Sequence, residues 1–359
     1  MKIVDRHIGM AAIFGILIAW LLLTGLDALY AFISELDDVG DGDYSTGDAL
    51  TFVLLTLPRR LYELFPTSAL LGALMGVGSL AATSELVAYR AAGISRMRIA
   101  GAAVGFSALL LVPVVWMGEY LAPAGEIRAQ ALRVSERTAE LGVARRSGLW
   151  VRDGDRVINA RRPLITAVEQ ETVELADVNI FEFEDGELKF TAHAEMAERL
   201  GDEWVLRNVW RTTMDRKGVS TEFHPELSVP ALIEQEALRA AVTRPQQLSL
   251  RELIPYRAYL LANGLDARQY DAALWEKVVY PLTALVMVFA GMPFVFGLIR
   301  SGGLGQRLFI GMALGISFFI INKAFGRVGQ VYDIPPAFAA LLPTLLLAFG
   351  SVAMIRRSG

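Results

Sequence analysis

Six stretches of this chain are each long and apolar enough to cross a bilayer: residues 8–29, 65–82, 99–121, 278–298, 308–325 and 336–354. A hydrocarbon layer about 30 Å thick takes roughly 20 residues of helix. Inside it every backbone N–H and C=O must find a partner within the chain, so an open segment of this kind folds as an α-helix. Composition agrees, with 54% hydrophobic residues and a mean hydropathy of +0.42, more than one soluble core requires. The second stretch is the least regular, because Arg59 and Arg60 precede it and Pro66 follows its start. The first is too long for a signal peptide and reaches Asp27 without a small-residue cleavage site.

Orientation follows from the short flanks, since loops rich in Lys and Arg stay on the cytoplasmic side. Lys2, Arg6, Arg90, Arg96, Arg98, Arg300, Arg307, Arg356 and Arg357 fall on one side. On the other lies the acidic loop with Glu35, Asp37, Asp38, Asp41, Asp43 and Asp48, and a second loop holding Arg327. Both termini are thus expected in the cytoplasm. The charged middle of the chain then lies outside the inner membrane, in the periplasm of a Gram-negative cell. The expected organisation is residues 1–122 with three spans, 123–263 as an inserted periplasmic domain with flanking helices, and 264–359 with three more spans.

The insert carries strand chemistry. VRDGDRV at 151–157 and FEDGEL at 183–188 each place Asp-Gly between strand-like flanks, the favoured two-residue hairpin turn. Further turns are expected at Gly201-Asp202 and Lys217-Gly218. NIFEFE at 179–184 and LKFTAHAE at 188–195 alternate with the period of a half-buried strand. Such a series predicts an all-β sandwich or jellyroll, either a spacer and interaction module or a slide for acyl chains between two sheets. A helix over 249–263, ended by Gly264, leads back to the membrane.

Several chemistries are excluded or disfavoured. No cysteine is present, so there is no disulfide and no thiolate. None of the lysines sits in a phosphate-cradling P-loop, and His7, His193 and His224 match no metal-ligand spacing. A net charge of −4 argues against nucleic acid. Asp27, Glu119, Glu276, Lys277 and Lys323 are candidates for proton coupling, but all lie near span ends, where their charges reach water. The Gly-rich loop at 301–305 joins two spans and reads as a flexible turn.

The segment after the second span is more telling. In TSELVAYRAAGISRMR at 83–98, Ser84 is placed to N-cap a short helix that Gly93 ends, with Glu85 in its first turn. Leu86, Val87 and Ala91 give it an apolar side, and Glu85, Arg90 and Arg96 a charged one. A helix of this kind on the cytoplasmic face docks in a groove of a soluble partner; an ordinary interfacial loop is the alternative on spacing alone.

Taken in order, VDRHIG (4–9), FPTSALLGAL (65–74), SELV (84–87) through Gly93, GEYLAP (118–123), GLW (148–150), WEK (275–277), IPP (334–336) and LLP (341–343) resemble the LptF/LptG permeases of the lipopolysaccharide exporter, the LptG branch more than the LptF branch. The resemblance covers almost the whole chain. It implies a helical membrane protein of six spans (3+3) with an inserted periplasmic β-jellyroll, acting as a permease subunit of an ABC transporter that moves lipopolysaccharide from the inner membrane to a periplasmic bridge. It implies as partners an LptF-like permease, two copies of an LptB-like ATPase that uses ATP and Mg, and LptC- and LptA-like bridge proteins. This chain itself would be no enzyme and hold no cofactor or metal.

Within that frame Ser84, Glu85, Leu86, Tyr89, Arg90 and Gly93 are the expected ATPase-coupling residues. Arg59, Arg60 and Arg133 are the expected contacts to lipid A phosphates, where a guanidinium pairs bidentately with an anion. One departure stands out. Some family members carry lysines at the end of the first span and just after it, where this chain has Ala31, Asp37 and Asp38. Capture by divalent cations and a lipid with less phosphate both remain open there. The alternative to a transporter is a membrane-anchored scaffold or sensor whose spans only hold it in place.

Overall fold

The computed structural model describes residues 3–40, 44–136, 149–153, 155–164, 174–184, 187–200, 203–215, 218–230, 245–296, 304–332 and 334–357. The first half is helical: α1 (Ile3–Leu36), α2 (Thr46–Ala82), the short α3 (Glu85–Ala91), α4 (Arg96–Trp116), one π-helical turn (Met117–Leu121) and α5 (Ala122–Glu136). Strands β1 (Leu149–Asp153), β2 (Arg156–Leu164), β3 (Glu174–Glu184), β4 (Glu187–Leu200), β5 (Glu203–Asp215) and β6 (Gly218–Pro230) follow. The chain closes with a 3-10 turn (Pro245–Gln247), α6 (Leu250–Ala262), α7 (Arg268–Phe296), α8 (Leu304–Val331) and α9 (Pro336–Arg357).

Six helices are long and apolar enough to cross a membrane, and the all-β insert lies between the third and the fourth of them. The fold class expected from the sequence is the one observed. The helix starts are less well foreseen. Residue 65, expected to open the second span, lies well inside α2, which has already begun at Thr46 and continues through Pro58 and Pro66. Proline removes one N–H and usually ends a soluble helix, but within a membrane the surrounding helices make up for the lost bond. At 1.5 Å per residue the 37 residues of α2 and 34 of α1 reach about 50 Å or more, well beyond a hydrocarbon core.

Two compact units divide the chain: Met1–Ala31, Thr56–Pro123 and Arg268–Gly359 form one, and Phe32–Leu55 with Ala124–Ala267 the other. The first is a helix bundle whose core holds Ile8, Ile16, Phe65, Leu70, Leu74, Ile99, Met287 and Met292. Its tightest crossing is between α1 and α2. A methyl added at Gly72 would strike the Ile16 backbone, and one at Gly76 the Ala11 carbonyl. Small residues let membrane helices touch backbone to backbone, where van der Waals packing replaces the missing hydrophobic drive.

The second unit contains the sheet, in the order β1-β2-β3-β4-β5-β6, every pair antiparallel. Gly154, Asp185-Gly186, Gly201-Asp202 and Lys217 lie outside the described residues. The described strands pair up to either side of them, at Asp153–Arg156, Glu184–Glu187, Leu200–Glu203 and Asp215–Gly218. The described strands form one up-and-down sheet; a second sheet, as a sandwich would need, is not among them.

At one level the ladder lapses from β3 to β6. Asp177 and Asn208 have φ of 57° and 54°, and neither they nor Glu195 nor Pro225 appears among the paired residues. The buried side slips by one residue there: Leu175 and Val178 are both buried, as are Ala194 and Ala197, and Leu206 and Val209. An extra residue in a strand turns the next side chain to the opposite face. Here the slip occurs in neighbouring strands together, so register survives.

Helix α6 starts as the sequence predicts. Ser249 and Glu252 form a reciprocal capping box, and Gly264 follows the helix with φ 65°.

Candidate functional site

The residues singled out for coupling lie in the helix bundle, on the turn between α2 and α4. The seven residues of α3 are too few to hold a helix by propensity alone, so its ends and one side chain fix it. At the C-terminus the Gly93 amide donates to the Arg90 carbonyl and the Ile94 amide to that of Tyr89, with Gly93 left-handed at φ 84°. This is a Schellman turn. Leu86 is turned into the bundle core, 4% exposed, and so anchors the helix instead of contributing to its outer surface. Val87 and Arg90 face out.

Ser84 stands at the N-cap position but does not cap. Its φ of 62° is left-handed and its side chain accepts no bond from the helix. A capping oxygen requires extended backbone at that residue. Thr83 takes the neighbouring role: its hydroxyl donates to Glu85 Oε1 at 2.9 Å.

The Glu85 carboxylate is held at both oxygens. His7 Nε2, from the start of α1, lies 2.9 Å from Oε2, and the Tyr89 hydroxyl approaches the same oxygen at 3.5 Å. A carboxylate only accepts, so Nε2 carries the proton. The Thr83 hydrogen bond, and then that of His7, hold the Glu85 carboxyl below its ordinary pKa. Burial, and then the Glu85 charge, push the Tyr89 phenol up. Beside this cluster the Arg98 guanidinium makes two bonds to Asp5, from Nε at 3.2 Å and from an NH2 group at 3.0 Å. No sequence signal links His7 to Glu85, which are 78 residues apart.

The three arginines chosen for lipid contact fall in different surroundings. Arg60 lies within α2, where it donates to Asp27 of α1 at 2.6 Å and to Thr56. Arg59 donates to Glu63 one turn on, at 3.3 Å. Arg133, in the second unit, donates to both oxygens of Glu35, at 2.7 and 2.9 Å, and to Asp38 at 3.1 Å. Its guanidinium also lies over the Phe52 ring. Tyr44 donates to Glu35 at 3.1 Å. Burial first, and then the Glu35 charge, raise the phenol's pKa well above its ordinary value, so it remains a donor. Asp38, one of the acids that follow the first span, is thus part of an ion-pair cluster.

The structure therefore brings Glu85, Tyr89 and Thr83 together with an unforeseen His7, while Arg133 and Arg60 each sit against carboxylates. Asp27 and Glu35 were visible in the sequence only as acids near a span end.

A family model described as "Lipopolysaccharide export system permease LptF/LptG" matches residues 6–357. A protein of Haemophilus influenzae named "Lipopolysaccharide export system permease protein LptG" is 32% identical over 345 residues, covering 95% of each chain. One of Escherichia coli K12 with the same name is 30% identical over 359 residues, covering 99% of this chain and 98% of that one.

Proposed function

The chain belongs to the LptF/LptG family of lipopolysaccharide export permeases, and from that premise we propose that it is the permease subunit of an ABC transporter that extracts lipopolysaccharide from the inner membrane. The proposed assembly adds a related six-span permease, two copies of a cytoplasmic ATPase that binds ATP and Mg, and periplasmic bridge proteins that carry the lipid toward the outer membrane. This chain contributes no nucleotide chemistry; it converts the motor's movement into movement of spans.

In this reading both termini and α3 face the cytoplasm, and the sheet lies in the periplasm. The arginines and lysine near the α1 start, α3, α4 and the α9 end support that orientation. The sheet offers an apolar side to acyl chains and a strand edge to the next protein of the bridge.

One observation carries the coupling part. A seven-residue helix joins two spans, is pinned inward by Leu86, and presents Glu85, Val87 and Arg90 outward. A lever this short transmits force through its closed C-terminal turn and its buried Leu86. Glu85 is the group that engages the ATPase groove. Arg59, Arg60 and Arg133 are the proposed phosphate contacts, each exchanging a carboxylate partner for a lipid phosphate as the substrate arrives.

The test is reconstitution of the full complex in vesicles containing lipopolysaccharide, with lipid release and ATP hydrolysis measured together. Wild type is expected to release lipid in proportion to ATP consumed. Glu85→Ala is expected to insert normally but to lower lipid release per ATP by about tenfold or more. Unchanged release overturns the coupling role. Charge reversal at Arg60 is expected to weaken crosslinking to lipid; unchanged crosslinking removes it from the site.

A further inference from the structure

Among the described residues, His7 is the one side chain outside the short turn from 83 to 94 that the structure places on the Glu85 carboxylate. It stands on α1, which also forms the backbone-tight crossing with α2. The contact therefore ties the acid to a helix that is itself fixed in the bundle.

A free glutamate side chain samples many rotamers, and docking it in a groove costs the entropy of choosing one. Here Thr83 holds one oxygen and His7 the other, while 39% of the side chain is still open to solvent. An acid so held is presented to a partner already in one orientation. We propose that His7 is a positioning residue for ATPase coupling, donating from Nε2 to fix the outward rotamer of Glu85. This rests on Glu85 being the group that engages the ATPase.

Among the described residues the structure pairs the imidazole with Glu85. Asp5, two residues before His7, is engaged by Arg98 of α4, so that pair is close to neutral. Tyr89 reaches Glu85 from α3, and Arg6 and Arg90 are exposed. The ring donates in both its neutral and protonated forms. Because the acceptor is a carboxylate, the bond is charge-assisted and roughly twice as strong as a neutral one.

The experiment compares wild type, His7→Gln and His7→Phe in the reconstituted complex with its ATPase. Lipid release per ATP and ATPase association are both measured. Glutamine keeps a neutral donor, whereas phenylalanine keeps a ring of similar size without one. The expected result is a loss of about threefold to tenfold in release per ATP for His7→Phe, and near-wild-type release for His7→Gln.

Equal losses in both variants reduce His7 to packing and overturn the proposal, as does wild-type behaviour of His7→Phe. If Glu85→Ala also leaves coupling unchanged, the reading of Glu85 fails first, and this inference with it. If Glu85→Ala uncouples and His7→Phe does not, only this inference fails.

Discussion

Glu85 and Glu35 are two carboxylates held on both oxygens, yet in opposite ways. Glu85 is held by a hydroxyl, an imidazole and a distant phenol, and its side chain keeps 39% of its exposure. Glu35 is held by the Arg133 guanidinium and the Tyr44 hydroxyl, and its side chain keeps 10%. The first arrangement orients an acid and leaves it available. The second uses an acid up, because taking a charge from water requires a full partner nearby. Exposure and partner type, more than the presence of a charge, separate a presented group from a structural one.

The largest expected effect comes from breaking the closed arrangement. Arg133→Ala strands a mostly buried Glu35 and should destabilise the protein by about 2 kcal/mol, less than the full cost of breaking a buried pair because Arg133 keeps some exposure. The thermal midpoint in detergent should fall clearly. The double variant Glu35→Gln with Arg133→Gln should recover most of that loss; if it is no more stable than Arg133→Ala alone, the charge imbalance is not the cause.

Glu85→Ala should behave in the reverse manner. Its thermal midpoint should stay near that of wild type, while coupling falls about tenfold, equal to ~1.4 kcal/mol. A large loss of stability would show that Glu85 is as structural as Glu35, and the contrast would disappear.

A smaller effect tests whether the closed pair hides a binding group. Asp38→Asn removes one of two acids that share Arg133 and should tighten lipopolysaccharide binding by about threefold, on the order of 0.6 kcal/mol, with little change in stability. Unchanged binding, measured by lipid crosslinking, would make the Arg133 cluster purely structural.

The smallest concerns pH. Glu85 is held below its ordinary pKa chiefly by the Thr83 hydrogen bond. A depressed carboxyl contributes its interaction above its ordinary pKa and loses it as pH falls through the lowered value. Thr83→Val removes the main cause, so acid loss of ATPase association should begin at a higher pH than in wild type. A midpoint that stays in place or moves to lower pH would assign the hold to His7 instead.

The length of the apolar runs made the bundle legible, and Asp-Gly pairs with two-residue alternation made the strands legible, because both signals are local. Gly93 and Ser249 marked helix ends for the same reason. Boundaries in α2 were not, because whether Pro58 and Pro66 end a helix depends on what surrounds it. The break in alternation between Leu175 and Val178 hides in any one strand and becomes a feature only when its neighbours slip alongside it.

Sequence by itself determined that this chain spans a membrane six times, carries a β insert, and places a short charged helix between two spans. Only the tertiary structure decided that Leu86 points inward, that Ser84 does not cap, that His7 meets Glu85, and that Arg60 and Arg133 sit against acids. Apolar length and turn chemistry act over a few residues and are written in order along the chain. The state of a charge depends on partners tens of residues away, and those exist only once helices have packed.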